Sequence, residues 1–213
     1  MNQLKDIADV VHKGVAFDWK NKTTHDLMND SQLPQDVNAF LDALQTSGVD
    51  YMIVGGIALL QYIEARNTED IDLILSLADS KKIEGLEVHD VNEFFARGKY
   101  GMLTVDILRS ESPFFHHVRQ HHCVDGHFLN RSLRTASAKG LALLKLYALP
   151  SLYRQHQHTR VHIYEADIQS LILEGQLKNE ELLSVLLDFM SSNDVAELAK
   201  ILSEFEQHRN RFS

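Results

Sequence analysis

The stretch VDYMIVGGIALLQYIEARNTEDIDLIL, residues 49–75, decides the expected fold. It opens with a compact apolar run ending in two glycines, YMIVGG at residues 51–56, which predicts a buried strand followed by a turn. Residues 57–65 contain no helix breaker and predict a helix packed on that strand. Residues 71–77, IDLILSL, are a second apolar run and predict a second strand. The order of strand, glycine turn, helix and strand indicates an α/β unit.

Two carboxylates lie at the start of the second predicted strand. On a strand, Asp70 and Asp72 project from the same face, roughly 6–7 Å apart along the chain. Ionised carboxylates held so close repel one another unless a cation lies between them. Hard divalent ions such as Mg²⁺ use few carboxylates and take other ligands from water and phosphates. A glycine turn before paired aspartates therefore favours a metal–triphosphate site, in which the turn supplies backbone amides.

A third carboxylate is expected on a neighbouring strand, and Asp106 fits because apolar residues flank it in TVDIL, residues 104–108. Each feature also has an ordinary explanation. Paired glycines are common in α/β turns, and an Asp-x-Asp pair is often a solvated strand edge. Asp106 alone is compatible with a surface position on an alternating strand. The joint occurrence of these features in this order favours the metal site.

Helices and a hairpin are predicted around this unit. Apolar spacing over residues 33–44 predicts a helix that stops near Gly48. Residues 79–92 are expected to be a connection with some helix, and residues 94–108 an antiparallel hairpin that turns within 98–101. From about Thr135 the pattern is helical, and the helices are expected at residues 141–148, 163–173, 179–190 and 193–207.

The expected fold class is therefore α/β (α+β), a small mixed β-sheet flanked by helices and followed by a C-terminal helical part. We expect an N-terminal helical segment at residues 1–32, the core at 33–130 and the C-terminal helical part at 131–213.

Composition restricts the class of protein. With 213 residues, 44% hydrophobic and 24% charged, the chain is ordinary for a globular protein and is not disordered as a whole. Cys123 is the single cysteine, which excludes an internal disulfide and a multi-cysteine zinc site. No apolar stretch is long enough for a membrane span, and the N-terminus lacks the pattern of a signal peptide. These features predict a cytoplasmic protein without a membrane partner.

The net charge of −9 is unevenly distributed. Residues 126–164 contain no acidic residue and six basic ones, Arg131, Arg134, Lys139, Lys145, Arg154 and Arg160. Ordinary solvated helix faces would explain this stretch, and so would a wall that faces an anionic substrate.

The quoted stretch resembles the core of the nucleotidyltransferase superfamily with the DNA polymerase β-type fold. The shared pattern is a strand, Gly-Gly, a helix and then Asp-x-Asp, with a third aspartate later. The extended form, Gly55-Gly56-Ile57-Ala58 followed by Arg66-x-Thr68-x-Asp70-Ile71-Asp72-Leu73, most resembles AbiEii-type nucleotidyltransferase toxins of type IV toxin–antitoxin systems and their uncharacterised relatives. The close match covers residues 49–76, and Asp106 extends it loosely.

The resemblance implies a set of site residues. Asp70, Asp72 and Asp106 would bind two Mg²⁺ or Mn²⁺ ions, and Asp106 would also be the general base. Gly55 and Gly56, with Arg66 or Thr68, would bind the nucleotide phosphates, although Arg66 and Thr68 are equally compatible with structural roles.

The resemblance extends into the C-terminal part. Lys145 would correspond to a family lysine, and Arg160 or Arg154 to a family arginine. Asp167 fits the second acidic position of a family helix, whereas Tyr164 stands where the first is expected. A lysine and an arginine at the metal site would neutralise charge on the triphosphate. The alternative for Lys145 is a helix lysine whose side chain extends past Leu144 to solvent.

The function implied is transfer of a nucleoside monophosphate from a nucleoside triphosphate to an acceptor hydroxyl. The acceptor would be RNA, a small molecule such as an aminoglycoside-like alcohol, or a protein, and a cognate antitoxin is a further expected partner. The alternative is a catalytically idle nucleotide-binding or interaction module of the same fold.

A histidine cluster offers a competing site. His117 and His121 stand four residues apart, with His116, His122 and His127 nearby, and on a helix such a pair can bind zinc. Exposed or hydrogen-bonded histidines explain the cluster more simply, and one of them would also suit a substrate phosphate.

Overall fold

The computed structural model describes residues 32–63, 70–128 and 131–210. The predicted N-terminal helical segment therefore lies outside the described residues, except for its last position. The chain divides into two compact units, Met1–Ala136 and Ser137–Ser213.

The first unit is built on a seven-stranded sheet in the order β3-β4-β5-β2-β1-β7-β6. Its strands are β1 (Met52–Val54), β2 (Asp70–Leu75), β3 (Glu87–Val91), β4 (Phe95–Tyr100), β5 (Leu103–Arg109), β6 (Cys123–Phe128) and β7 (Arg131–Ala136). The β2–β5 and β1–β7 pairs are parallel, and the other pairs are antiparallel. The predicted mixed sheet is confirmed.

The described part of the first unit also contains four helices. They are α1 (Gln32–Thr46), α2 (Gly55–Leu59), α3 (Leu77–Ser80) and α4 (Pro113–His121). The apolar positions of α1 are buried, as its spacing predicts, and Pro113 suits the first turn of α4. The helix predicted over residues 57–65 is shorter than expected within its described residues 57–63, because α2 ends at Leu59 and a turn follows. Residues 64–65 lie outside the described residues.

The strands at the centre of the sheet present two different faces. On β2, Ile71, Leu73 and Leu75 are fully buried, whereas Asp70 and Asp72 are half-buried. β5 alternates in the same way, with Leu103, Val105 and Ile107 buried and Asp106 half-buried. Because successive side chains point to opposite faces, one face carries the core and the other carries the acidic residues. The sheet thus places its carboxylates on one accessible face.

The hairpin prediction is confirmed, with one adjustment. Tyr100 pairs with Leu103 around the turn at Gly101, whose φ of +58° is in the region that favours glycine. Gly98 lies within β4 and not in the turn. Asp36 of α1 accepts a hydrogen bond from the Met102 N–H at 2.7 Å, which fastens the hairpin turn to the helix.

Three strands depart from the expectations. β3 replaces much of the connection expected at residues 79–92. β6 and β7 form a hairpin, and β7 pairs in parallel with β1 through Ile53 and Thr135. The first six residues of the expected helical part at 131–213 are consequently a strand, so the sheet continues beyond residue 130 to Ala136.

The second unit consists of helices in its described part. They are α5 (Ala138–Arg154), α6 (His158–Glu174), α7 (Asn179–Leu186) and α8 (Ser192–Asn210). The Ser137 hydroxyl caps α5 by accepting a hydrogen bond from the Gly140 N–H at 3.2 Å. The core of the second unit includes four fully buried side chains, Leu146 and Leu149 of α5 and Ile168 and Leu171 of α6. The helical prediction for residues 141–207 is confirmed. Within the described ranges, no helix is long and apolar enough to cross a membrane.

Candidate functional site

The three predicted aspartates converge on the accessible face of the sheet. Asp70, Asp72 and Asp106 each offer one carboxylate oxygen, and these oxygens all lie within 4.8 Å of one another. All three side chains are half-buried. Oxygen donors at this separation, carrying like charges, are the set that a hard divalent cation binds. The residues present therefore fit Mg²⁺ or Mn²⁺.

Strand pairing explains why residues distant in sequence meet here. The parallel pairing of β2 with β5 places Asp72 beside Asp106. The antiparallel pairing of β1 with β2 places Val54 on the other side of Asp72. Paired residues on neighbouring strands point to the same face. The register thus brings the glycine turn after Val54 against the acidic cluster.

The glycine turn contacts Asp72 closely. Gly55 has a φ of +60°, and a Cβ added there would stand 1.8 Å from the Asp72 Oδ2 atom. Any side chain would collide with the carboxylate and would also be strained by the backbone conformation. Glycine is required at position 55 for both reasons, which explains the first residue of the Gly-Gly motif. Gly56 follows as the second residue of α2 and is half-buried.

A basic residue that the sequence analysis missed lies at the same site. Arg97 of β4 donates two hydrogen bonds to Asp106, from Nε to Oδ1 and from Nη2 to Oδ2, each 2.6 Å long. These bonds raise the pKa of Arg97 further above its usual value, with Asp70 adding a smaller effect. Asp106 is therefore paired with a cation from the chain itself.

The hairpin would have revealed this pairing. Once the turn at Gly101 sets Tyr100 opposite Leu103, counting three positions away from the turn along each strand places Arg97 opposite Asp106. Opposed residues on an antiparallel pair have side chains on one face. The signal was present in the sequence, although it required the turn position to be known to the residue.

Lys145 is occupied within the helical unit. Its ammonium group forms an ion pair with Asp167 at 2.8 Å and lies 4.3 Å from the centre of the Tyr164 ring. Both charged side chains are 8% exposed, so the pair is buried. The alternative of a lysine that extends to solvent is wrong for this structure. A role for Lys145 in catalysis stays a prediction.

The acid-free stretch at 126–164 is not a bare positive surface. Five of its six basic side chains pair with carboxylates from outside the stretch: Arg131 with Asp42, Arg134 with Asp50, Lys139 with Glu181, Lys145 with Asp167, and Arg154 with Asp194. The sixth, Arg160, is exposed at the start of α6 and donates a hydrogen bond to Gln157 at 3.3 Å. The hypothesis of a wall facing a polyanion is weakened, since the acids that balance it come from distant sequence.

Two predicted nucleotide-binding residues, Arg66 and Thr68, lie outside the described residues. Their roles stay predictions.

The histidines of α4 do not assemble a comparable site. The ring centres of His117 and His121 are 4.5 Å apart, and that of His122 is 5.9 Å from His117. In the parts of the chain that the structure describes, three potential metal ligands meet only at the aspartates. The side chain of His127 lies outside those parts. The zinc hypothesis therefore gains no support.

Comparison with known proteins gives a likeness of fold. No protein-family model and no curated protein matches the sequence. The solution structure of the antibiotic-resistance factor ANT(2″)-Ia has a TM-score of 0.54 and 16% identity, over 83% of this chain and 96% of that one. The crystal structure of ANT(2″)-Ia in complex with adenylyl-2″-tobramycin has a TM-score of 0.51 and 16% identity, over 79% and 96%. An antigenic nucleotidyltransferase-like protein from Paracoccidioides brasiliensis has a TM-score of 0.47 and 18% identity, over 78% and 90%.

At such identities the likeness establishes architecture. The seven-stranded mixed sheet with flanking helices matches the fold of ANT(2″)-Ia, and the predicted fold class is confirmed. The narrower resemblance to AbiEii-type proteins stays a prediction.

Proposed function

We propose that this protein is a divalent-metal-dependent nucleotidyltransferase, which moves a nucleoside monophosphate from a nucleoside triphosphate to an acceptor hydroxyl. The observation that carries this proposal is the convergence of three aspartate oxygens within 4.8 Å. They meet beside a glycine turn, on a fold shared with ANT(2″)-Ia. Fold alone does not imply function, so the proposal depends on the site.

In this proposal the aspartates have different roles. Asp70, Asp72 and Asp106 would hold two divalent cations, Mg²⁺ or Mn²⁺. Bound ions would supply neutralisation of the phosphate oxygens and activation of the attacking hydroxyl. Asp106 would also accept the proton of the acceptor hydroxyl while the hydroxyl oxygen forms its bond to the α-phosphorus. The bond from the α-phosphorus to the bridging oxygen breaks, and pyrophosphate leaves.

The remaining predicted residues would bind the phosphates. The turn at Gly55 and Gly56 would offer backbone amides to the phosphates. Arg66, Thr68 and Arg160 would add donors to the nucleotide. Lys145 would supply positive charge to the triphosphate. For this the Lys145 ammonium group would have to leave Asp167 or interact with both groups.

The acceptor that we propose is a small polyhydroxylated molecule. The complex of ANT(2″)-Ia with adenylyl-2″-tobramycin supports this class, because it contains an adenylylated small molecule on the same fold. RNA is less well supported, because five of the six basic residues in the acid-free stretch are already paired with carboxylates. A toxin role with a cognate antitoxin rests on the AbiEii resemblance and would require RNA or protein as the acceptor.

The test is nucleotide transfer from each α-³²P-labelled nucleoside triphosphate with Mg²⁺ or Mn²⁺. Acceptors are an aminoglycoside panel, total RNA and total protein, and pyrophosphate release is measured in parallel. We expect labelled small-molecule product that disappears in Asp70→Asn and persists in Asp188→Asn, an exposed carboxylate of the helical unit. Label in RNA or in protein would show that the acceptor is RNA or protein and not a small molecule. Absence of transfer to every acceptor would reject catalysis.

One observation favours the alternative of an idle nucleotide-binding module. Both Asp106 oxygens accept hydrogen bonds from Arg97, which neutralises the carboxylate that would serve as base. Binding of a nucleoside triphosphate with Mg²⁺ by calorimetry, without pyrophosphate release on any acceptor, would establish the module.

A further inference from the structure

Arg97 is placed to interact with the acidic site as a whole. It pairs with Asp106 across β4 and β5, and Asp106 pairs with Asp72 across β5 and β2. The three side chains therefore form one row on the accessible face of the sheet. The same row continues on the other side of Arg97 to Asp90 of β3. Within this row one cation from the chain accompanies three carboxylates, and Asp70 adds a fourth from the next position on the face of β2.

The pair between Arg97 and Asp106 has the geometry of a strong interaction. Two parallel N–H···O bonds of 2.6 Å occupy both carboxylate oxygens. Such bidentate pairs are stronger and more specific than single contacts. Asp106 is 25% exposed and Arg97 is 55% exposed, so the guanidinium can leave toward solvent while the carboxylate stays in place.

A divalent cation at Asp106 would have to share the carboxylate with Arg97. A divalent cation that binds Asp106 needs at least one of the oxygens that Arg97 now engages. Two positive groups at one carboxylate also repel each other. Cation binding and the arginine pair are therefore in competition.

We propose that Arg97 is the resident counter-cation of the acidic site and a positioning residue for Asp106. It holds Asp106 on the shared face until a divalent cation takes that carboxylate, so that ion binding and release of Arg97 are one exchange. This inference rests on the proposed function, because it assumes that the three aspartates bind a cation. No covalent step is involved.

The experiment measures Mn²⁺ binding to the full-length protein without nucleotide, using the electron paramagnetic resonance signal of free Mn²⁺. Because a competing charge is removed, we expect Arg97→Gln to tighten Mn²⁺ binding by about fivefold. In an Asp106→Asn background, the same change should have no effect. Arg97→Lys, which keeps the charge but not the paired donors, should fall between wild type and Arg97→Gln.

Lys99→Gln is the matched control, since Lys99 is an exposed cation two residues along the same strand and on the same face. It should change Mn²⁺ affinity much less than Arg97→Gln. Equal effects of the two variants would show a general charge effect and overturn the proposal. A purely structural role would lower the melting temperature of Arg97→Gln and leave Mn²⁺ affinity unchanged, and this outcome would also overturn it.

The outcomes separate this inference from the proposed function. Tighter Mn²⁺ binding by Arg97→Gln with no nucleotide transfer would support the exchange and reject the enzyme. Nucleotide transfer by wild type, together with a Mn²⁺ affinity that Arg97→Gln does not change, would support the enzyme and reject the exchange. Absence of Mn²⁺ binding in wild type and in every variant would reject both.

Discussion

Gly55 lies so close to Asp72 that a Cβ on Gly55 would stand 1.8 Å from the Asp72 Oδ2 atom. Gly55→Ala must therefore displace the Asp72 carboxylate, and it must also place alanine at a φ of +60°. We expect a loss of folding stability and a large loss of nucleotide transfer, because Asp72 leaves the position where its oxygen meets those of Asp70 and Asp106. Urea unfolding and the transfer assay measure the two effects.

Gly48→Ala separates strain from collision. Gly48 has a similar φ of +66°, and nothing lies within 4 Å of an added Cβ. Backbone strain alone should cost Gly48→Ala about 1–2 kcal/mol in the free energy of unfolding. Gly55→Ala should cost about 1–3 kcal/mol more, because it adds overpacking. Equal stability and equal activity of the two variants would mean that Asp72 does not depend on the space beside Gly55.

The local pattern was sufficient to predict the centre of this site. The buried strands β1 and β2 follow from apolar runs, and a period of two along β2 and β5 places the aspartates on one face. Their convergence additionally needed β2 and β5 to be neighbours, which the family resemblance supplied. Arg97 was missed because its partner depends on the register of the hairpin.

The missed strands have a physical explanation. β3 has mostly exposed side chains at the edge of the sheet, so it shows no apolar alternation. β7 contains polar and charged residues, RSLRTA, and it is held by pairing with distant β1. The pairing of β7 with β1 is non-local, and a short window of sequence does not contain it.

The acidic cluster should be repulsive without a cation. Asp70→Asn and Asp72→Asn each remove one of three neighbouring negative charges. We expect the melting temperature of each variant in EDTA to equal or exceed that of wild type, because like-charge repulsion is reduced. Added Mn²⁺ should raise the melting temperature of wild type but not that of the variants.

Activity should change in the opposite direction. Each substitution should lower transfer by about a hundredfold or more, because charge stabilisation in the transition state is lost. Asp188→Asn is the control for net charge, since Asp188 is an exposed residue of the helical unit. A variant that keeps full transfer activity, or full stabilisation by Mn²⁺, would show that the altered residue is not a metal ligand.

The buried pair of Lys145 and Asp167 tests whether the predicted catalytic lysine is instead structural. Lys145→Met leaves the Asp167 carboxylate buried without its cation, which should cost about 3–5 kcal/mol in the free energy of unfolding. Lys145→Met with Asp167→Leu should recover most of that loss. Lys139 lies on the same helix as Lys145 and forms a more exposed ion pair with Glu181. Lys139→Met should therefore lower the free energy of unfolding by at most about 1 kcal/mol.

Transfer activity of the double variant then decides the role of Lys145. A stable protein without activity would support a catalytic role for the pair, whereas a stable and fully active one would show that the pair is structural. If the double variant is no more stable than Lys145→Met, the interaction seen between the two side chains does not account for the cost.

The contact between α1 and β7 predicts a dependence of stability on pH. Arg131 donates a hydrogen bond from Nε to Asp42 Oδ1 at 2.8 Å, and this bond lowers the pKa of Asp42 below its usual 3.8. A carboxyl group with a lowered folded-state pKa stabilises the protein above its unfolded pKa, and the effect disappears as pH falls through the folded pKa. Asp42→Asn should therefore be less stable than wild type at pH 7, and the difference should shrink below about pH 4. Urea midpoints at pH 7 and pH 3 measure this, with Asp188→Asn as a control on an exposed carboxylate of the other unit. A difference that persists unchanged at pH 3 would show that Asp42 acts through packing and not through its charge.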